Sequence, residues 1–170
     1  AFLNDAVAAN LAAIETAGQM ANGSKVVAVN YWAGPFTHFV DGFPAFAPSD
    51  PLNKAPSGTT AEVYQGWQTI LTRWLPFNLA MFLSVAGPST YFTHMVWYAP
   101  NQGFMACPEA PDTCCAPAPF YPEMHKSLGA PMGPRVQLSK YVWVRHFEHA
   151  TVTLNLDDPL GPGTSIVYSA

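Results

Sequence analysis

The sequence predicts an α/β fold made of β/α units with parallel strands, followed by a β-rich C-terminal tail. The first observation behind this is the order of the expected elements: helix, strand, long loop, helix, strand, long loop and then strands only. The second is the run KVVAVNYW at 25–32, which is short, apolar and rich in β-branched residues, as buried parallel strands are. With 170 residues the chain is long enough for one domain with a hydrophobic core.

The N-terminal part alternates helix and strand patterns. An alanine-rich amphipathic pattern predicts a helix over 2–21, with Asn22-Gly23 as its C-cap. The strand at 25–32 follows, and the proline- and glycine-rich stretch 34–58 is expected to form a loop. Long loops after strands are where α/β folds place their active sites, so this loop is a candidate location for chemistry.

A second helix is expected to begin at Thr59 or Thr60, either of which can act as its N-cap, and to reach about Leu75. Pro76 predicts a break or a kink, because proline has no N–H to donate along the helix. The elements expected after that are a continued helix over 77–85 that Gly87-Pro88 ends, a strand over 91–98, a long loop over 100–124, one long strand or two in succession over 142–156, and a last strand over 165–168.

The composition excludes several classes of function. Hydrophobic residues make up 49% of the chain and charged residues 11%, and the formal net charge is −4. Such a chain is neither disordered nor suited to attract nucleic acid or anionic lipid. No segment reaches the roughly 18 consecutive apolar residues of a membrane span. We therefore expect no nucleic-acid partner and no membrane partner.

The cysteines favour a secreted or extracellular protein. All three (Cys107, Cys114 and Cys115) fall in one expected loop, where Cys107 could pair with either of the others. These thiols and His125 could also ligate zinc, but they lack a Cys-x-x-Cys spacing, so we predict no metal. The chain shows neither an initiator methionine nor a signal peptide, which favours a removed leader or a piece of a longer polypeptide.

Three segments carry a family resemblance. FLSVAGPSTYFTHMVWY, FYPEMHKSLGAPMGP and VRHFEHATVTLNL resemble the C-terminal part of glycoside-hydrolase-like (β/α)8 barrel proteins. In those proteins the last barrel helix is followed by a short aromatic strand. A loop with a leucine-glycine-x-proline element and an arginine-x-phenylalanine strand come next. The match covers about residues 59–156, and the part before it fits only in the order of its elements.

The resemblance implies a partial barrel and a glycan as ligand. Residues 1–140 would form barrel-like β/α units, and residues 141–170 would be terminal strands packed on them. Because a complete barrel takes about 250 residues, the upstream strands would be absent from this chain. The remainder of a longer chain, or other protein chains, would then be partners, and the second catalytic carboxylate of such enzymes could lie there.

Glycoside hydrolysis needs two carboxyl groups that flank the scissile bond, and three residues are candidates. Glu62 follows the long loop after the first strand, although a carboxylate in the first turn of a helix is also favoured by the helix dipole. Asp41 lies between apolar residues that could raise its pKa, but Asp-Gly is equally an ordinary turn. Glu148 shares a strand face with His146 by alternation, and a solvated polar pair is the alternative.

Aromatic and amide side chains at the ends of two expected strands suggest sugar binding. Rings there could stack on pyranose faces, an amide could bond hydroxyl groups, and an arginine could hold a buried carboxylate. Core packing is the alternative for each residue taken singly. The candidate substrate-binding residues are Asn30, Tyr31, Trp32, His38, His94, Trp97, Tyr98 and Arg145.

Other chemistries find less support in the sequence. It has no glycine-rich phosphate loop, no Gly-x-Ser-x-Gly elbow and no His-Glu-x-x-His pair, so we expect no cofactor. Our first hypothesis is a glycoside-hydrolase-like protein that acts on or binds a glycan through a cleft lined by aromatic rings and carboxylates. The alternative is a non-catalytic extracellular or structural protein that makes protein contacts. Whether the chain is an enzyme stays open at this point.

Overall fold

The computed structural model describes residues 2–21, 27–32, 60–88, 90–95, 121–159 and 161–169. These residues belong to two compact units, each discontinuous in sequence. The first, which we call the sheet unit, comprises Ala1–Tyr31, Leu75–Thr93 and Lys126–Ala170. The second comprises Trp32–Trp74 and His94–His125.

The main sheet is antiparallel, which overturns the predicted fold class. The elements are helix α1 (Phe2–Ala21), strand β1 (Val27–Trp32), helix α2 (Thr60–Val85), strand β2 (Thr90–Met95), a 3-10 helix (Pro122–His125), and strands β3 (Val136–Ser139), β4 (Val142–Phe147), β5 (Ala150–Asn155) and β6 (Ser165–Tyr168). β1 pairs with β2, and β3 to β6 form one sheet in sequence order. Every pair in that sheet is antiparallel. The prediction of partial barrel-like β/α units with parallel strands is therefore wrong, because these neighbours are joined by short connections rather than by crossover helices.

Both predicted helices are confirmed. α1 has the predicted bounds. α2 ends at Val85 as predicted and continues through Pro76, so of the two predicted effects of this proline, a break or a kink, the break does not occur. Leu75 and Phe77, on either side of the proline, are both buried. Tertiary packing on both sides therefore outweighs the hydrogen bond that the proline ring removes.

The C-terminal strands form a meander that the sequence indicated only in part. The stretch expected to be one strand or two is a hairpin, in which Phe147 pairs with Ala150 across a two-residue loop. β6 lies where it was predicted, and β3 was not predicted at all. β3 pairs with β4 through Val136 and Val144, with a register shift before Ser139.

One face of the sheet is buried and the other faces outward. In β4 and β5 the residues alternate between buried and more exposed positions, as a half-buried strand requires. The buried face and the second half of α2 supply most of the core of the sheet unit: Leu75, Phe77, Leu79, Ala80, Met81, Phe82, Leu83, Val85, Trp143, Phe147, Ala150, Val152 and Leu154. The core is thus made by segments far apart in the chain.

Polar contacts connect α1 to the sheet. Among the side chains described in α1, Leu11 is the buried one. The Tyr141 hydroxyl donates a hydrogen bond to Asp5 at 2.9 Å, and the Lys140 ammonium lies 3.4 Å from the same carboxylate. The Tyr141 bond is the largest cause that lowers the pKa of Asp5; partial desolvation opposes it, and Lys140 lowers the pKa further. Two further contacts are the bond from Asn4 to Asp157 and the ion pair of Glu15 with Arg135.

We predict that Tyr141→Phe raises the pKa of Asp5 towards its ordinary value. A carboxyl whose pKa is depressed in the folded state adds stability above its unfolded pKa, and loses it as the pH falls through the folded pKa. The free energy of unfolding of the variant should therefore change less with pH in the acid range than that of the wild type. An NMR titration of the Asp5 carboxyl carbon measures the shift directly. An unchanged midpoint would show that the Tyr141 hydroxyl does not hold this carboxylate in solution.

Candidate functional site

The tip of the β4–β5 hairpin is covered by the glycine- and proline-rich segment before β3. The amide of Glu148 donates to the carbonyl of Ala130 at 3.0 Å, and the amide of His149 donates to that of Leu128 at 2.9 Å. Gly129, between these two acceptors, has a φ of 69°, in the left-handed region that glycine tolerates best. The segment therefore gives the hairpin tip backbone partners that a two-residue loop lacks by itself.

The carboxylate of Glu148 takes part in the same arrangement. Its Oε2 accepts a hydrogen bond from the amide of Ala130 at 2.9 Å, so the two residues bond each other in both directions. Glu148 lies in the hairpin loop, just beyond the last residue of β4. It was expected to share a strand face with His146, and the hairpin turn replaces that alternation.

Arg145 lies on the buried face of the sheet and is only 9% exposed. Its acceptors are main-chain carbonyls and not the buried carboxylate expected from the sequence. Nη1 donates to Leu83 at 3.0 Å and to Ala86 at 2.7 Å, and Nε donates to Gly133 at 3.2 Å. Leu83 and Ala86 lie at the C-terminus of α2, where carbonyls lack helical partners and the helix dipole favours a cation.

A groove of about 660 Å³ opens on the sheet unit beside the hairpin. It is lined by Met132, Gly133, Pro134, Val136, His146, Phe147, Glu148, Ala150, Thr151, Val167, Tyr168 and Ser169. The volume of the groove is in the range of small-molecule sites. Such sites also combine apolar side chains with a few polar groups, as this lining does. This groove is the candidate functional site.

The polar groups of the groove are held in place by their neighbours. Nδ1 of His146 lies 3.2 Å from the hydroxyl of Thr151, its partner across the strands. The ring of Tyr168 carries the ammonium of Lys126 at 4.3 Å from its centroid, a cation–π contact. The contact with Thr151 limits rotation of the His146 ring before a ligand binds.

Of the three candidate residues whose side chains the structure describes, Glu148 and Arg145 fall at or under this groove, and Glu62 does not line it. Glu148 lines the groove, and Arg145 lies beneath it, bonded to Gly133 of its wall. Glu62 is exposed in the first turn of α2, in the second unit.

Four of the remaining predicted residues lie in described strands. Asn30, Tyr31 and Trp32 are the last residues of β1, as predicted, and His94 lies in β2. Their side chains, and all of Asp41, His38, Trp97 and Tyr98, lie outside what the structure describes. The three cysteines lie outside it too, so their pairing stays a prediction.

The sequence analysis missed most of the groove. Thr151 and Val167 lie on the outward face, and strand alternation could have placed them there once the hairpin register was known. Met132 joins them because its amide donates to the carbonyl of His146 at 2.9 Å, which holds the loop before β3 against β4. No local pattern signals such a contact between residues 14 positions apart.

The described residues hold neither a metal-ligating cluster nor a membrane-spanning helix. Within them, no group of three or more histidine, cysteine, aspartate or glutamate side chains could hold a metal ion. In the same residues, no helix is long and apolar enough to cross a membrane.

Comparison with known proteins leaves the family open. No model of a known protein family matches the chain, and no curated protein matches its sequence. The resemblance to barrel-type glycoside hydrolases thus gains no support from either comparison, and its implications for the ligand stay predictions.

Proposed function

We propose that this protein binds a glycan in the groove beside the β4–β5 hairpin and does not cleave it there. The observation that carries the proposal is the lining of the groove: one histidine–threonine pair and one carboxylate, set among apolar and aromatic residues. A sugar offers hydroxyl groups and apolar ring faces together, and a lining of this kind can meet both. A secreted or extracellular setting remains part of the proposal.

The polar side chains of the groove can exchange hydrogen bonds with the hydroxyl groups of a sugar. Within the described residues, His146 makes one side-chain hydrogen bond, through Nδ1, so its Nε2 can bond a ligand. The Thr151 hydroxyl both donates and accepts. Tyr168 pairs with Ala150, so its side chain belongs to the face of the buried residues and not to that of His146 and Thr151. The side chains of His146 and Thr151 come from adjacent strands and lie on the same outward face, which gives a ligand two polar contacts there.

Among the described residues a single carboxylate lines the groove, which favours binding over hydrolysis. Both retaining and inverting enzymes use a pair of carboxyl groups at a defined separation. Within the part of the chain that the structure describes, Glu148 is the one acidic side chain that lines this groove, and its Oε2 already accepts the amide of Ala130. Among these residues, a water molecule or a glycosyl carbon placed in the groove would therefore meet one carboxylate with one oxygen already bonded, and no second carboxylate.

We expect His146→Ala and Thr151→Val each to weaken glycan binding about tenfold, the size of effect that loss of a hydrogen bond gives. Calorimetry with cellohexaose, chitohexaose, xylohexaose and maltohexaose measures the affinity, and a reducing-sugar assay tests for cleavage. Arg73→Ala is the matched control, since this exposed side chain lies in the second unit.

Two results would overturn the proposal. One is that none of the four hexasaccharides binds the wild-type protein. The other is binding that His146→Ala and Thr151→Val leave unchanged, which would place the glycan site elsewhere. Cleavage that Glu148→Gln abolishes would replace binding with hydrolysis at this groove.

The exposed apolar residues of the sheet favour the alternative, a protein-contact role. Val136, Leu138 and Val167 are apolar strand residues that are 53%, 63% and 61% exposed. Exposed apolar surface is typical of sites that contact another protein. Sedimentation at increasing protein concentration tests whether this surface joins two copies. Association that Val136→Lys and Val167→Lys abolish, together with no glycan binding, would favour this second function.

A further inference from the structure

We propose that Arg145 is a positioning residue for the groove, which fixes the groove wall Met132–Pro134 against the C-terminus of α2. The importance of this wall for ligand binding rests on the proposed function. The link between wall and helix is a property of the protein without ligand, and it can be tested without one.

The link consists of one side chain with three main-chain acceptors. Nη1 reaches the carbonyls of Leu83 and Ala86 at 3.0 and 2.7 Å, and Nε reaches that of Gly133 at 3.2 Å. Gly133 lines the groove, whereas the other two acceptors end a helix of the core. The guanidinium thus ties a surface loop to the best-packed element of the unit.

Arginine suits this role better than lysine does. The guanidinium is planar and presents its donors in fixed directions, so it can serve acceptors on two sides at once. Burial lowers the pKa of Arg145, the carboxylate of Glu15 opposes this, and Arg135 adds to it. Arginine nevertheless stays charged in proteins. Its charge is therefore available to the carbonyls at the end of α2, where a cation is favoured.

The neighbouring residue holds the same wall from its other end. The carbonyl of His146 accepts the amide of Met132 at 2.9 Å. Consecutive residues of β4 thus fix Met132 through the main chain and Gly133 through a side chain. Loss of the Arg145 bond would free Gly133 and leave Met132 attached, so the wall should loosen at a defined point and the sheet should persist.

The test is Arg145→Lys, which keeps the charge and loses the two-sided geometry. In the wild type we expect a slowly exchanging arginine Nε–H signal in the ¹⁵N spectrum, which the variant lacks. Hydrogen exchange at the amide of Gly133 should accelerate at least about fivefold in the variant, as the freed wall predicts, while the amide of Met132 keeps its bond to His146 and exchanges as in the wild type. Affinity for the tightest-binding hexasaccharide should fall by a similar factor.

Leu154→Val is the matched control for a general loss of stability. Leu154 is fully buried on β5, on the same face as Arg145, and does not line the groove. The inference is wrong if Arg145→Lys leaves exchange at Gly133 unchanged, or if Leu154→Val accelerates it equally. If no hexasaccharide binds the wild type, the proposed function fails, and the exchange data still decide the role of Arg145.

Discussion

Gly129→Ala should lower the free energy of unfolding of the sheet unit by about 3 kcal/mol or more, because it combines backbone strain with steric overlap. A residue with a Cβ resists the φ of 69° at this position. A Cβ built there would also lie 2.5 Å from the Cβ of Glu148, an atom fixed to the backbone of the hairpin. The hairpin tip must therefore move away from Leu128–Ala130 and lose the bonds between them. Urea unfolding followed by tryptophan fluorescence measures the effect.

Gly87→Ala is the control for this substitution, because a Cβ at Gly87 meets no atom within 4 Å. A second test is the double variant Gly129→Ala with Glu148→Gly, which removes the atoms that the new methyl group would strike. It should recover part of the lost stability, although the strain at φ 69° remains. Equal stability of Gly129→Ala and Gly87→Ala would contradict the described contact between the segment and the hairpin.

Arg145→Met should lower the free energy of unfolding by about 3 kcal/mol, because it leaves three carbonyls without their donor. The bond to Leu83 is buried, and those to Ala86 and Gly133 are partly buried. Methionine fills similar space with an unbranched apolar chain, so the loss measures the hydrogen bonds more than a cavity. Thermal and urea unfolding should agree on the size of the effect.

Arg135→Met is the control, since Arg135 is a second arginine with a mostly buried side chain. Its Nη2 lies 3.4 Å from Glu15, and its Nη1 is buried with no acceptor among the described residues. Methionine would remove that unsatisfied donor along with the ion pair, so the net cost should stay below about 1 kcal/mol. Equal losses for the two variants would mean that the carbonyls of α2 do not depend on Arg145.

The sequence predicted those parts of the fold that depend on local pattern. The alanine-rich periodicity of α1 and the apolar run of α2 identify helices because each pattern repeats over several turns. The final strand is also where its β-branched residues indicated. The direction of pairing has no such local signal. The apolar run at 25–32 predicted parallel strands. The main sheet, however, is formed by the C-terminal strands β3 to β6 and is antiparallel.

The candidate site was harder to predict because its geometry depends on distant contacts. Glu148-His149 lacks the glycine or asparagine that usually marks a two-residue turn. The turn is supported instead by Leu128–Ala130, about 18 residues earlier in the chain. The charged residues around Arg145 are unusual in an apolar strand and predicted a buried carboxylate as the partner of Arg145, whereas its acceptors are main-chain carbonyls. The nature of the partner depended on where α2 ends in space, which no strand pattern reports.

The discontinuity of the sheet unit has a consequence for how the chain folds. Its three segments, Ala1–Tyr31, Leu75–Thr93 and Lys126–Ala170, must meet before the core closes. The meander can form early because its strands are adjacent in sequence, but Arg145 finds its acceptors only after about 60 residues of chain are looped back. Closing such loops costs entropy before contacts repay it, which slows folding. We therefore expect the hairpin to gain protection from hydrogen exchange first during refolding, and the groove wall to gain it last, with the docking of α2.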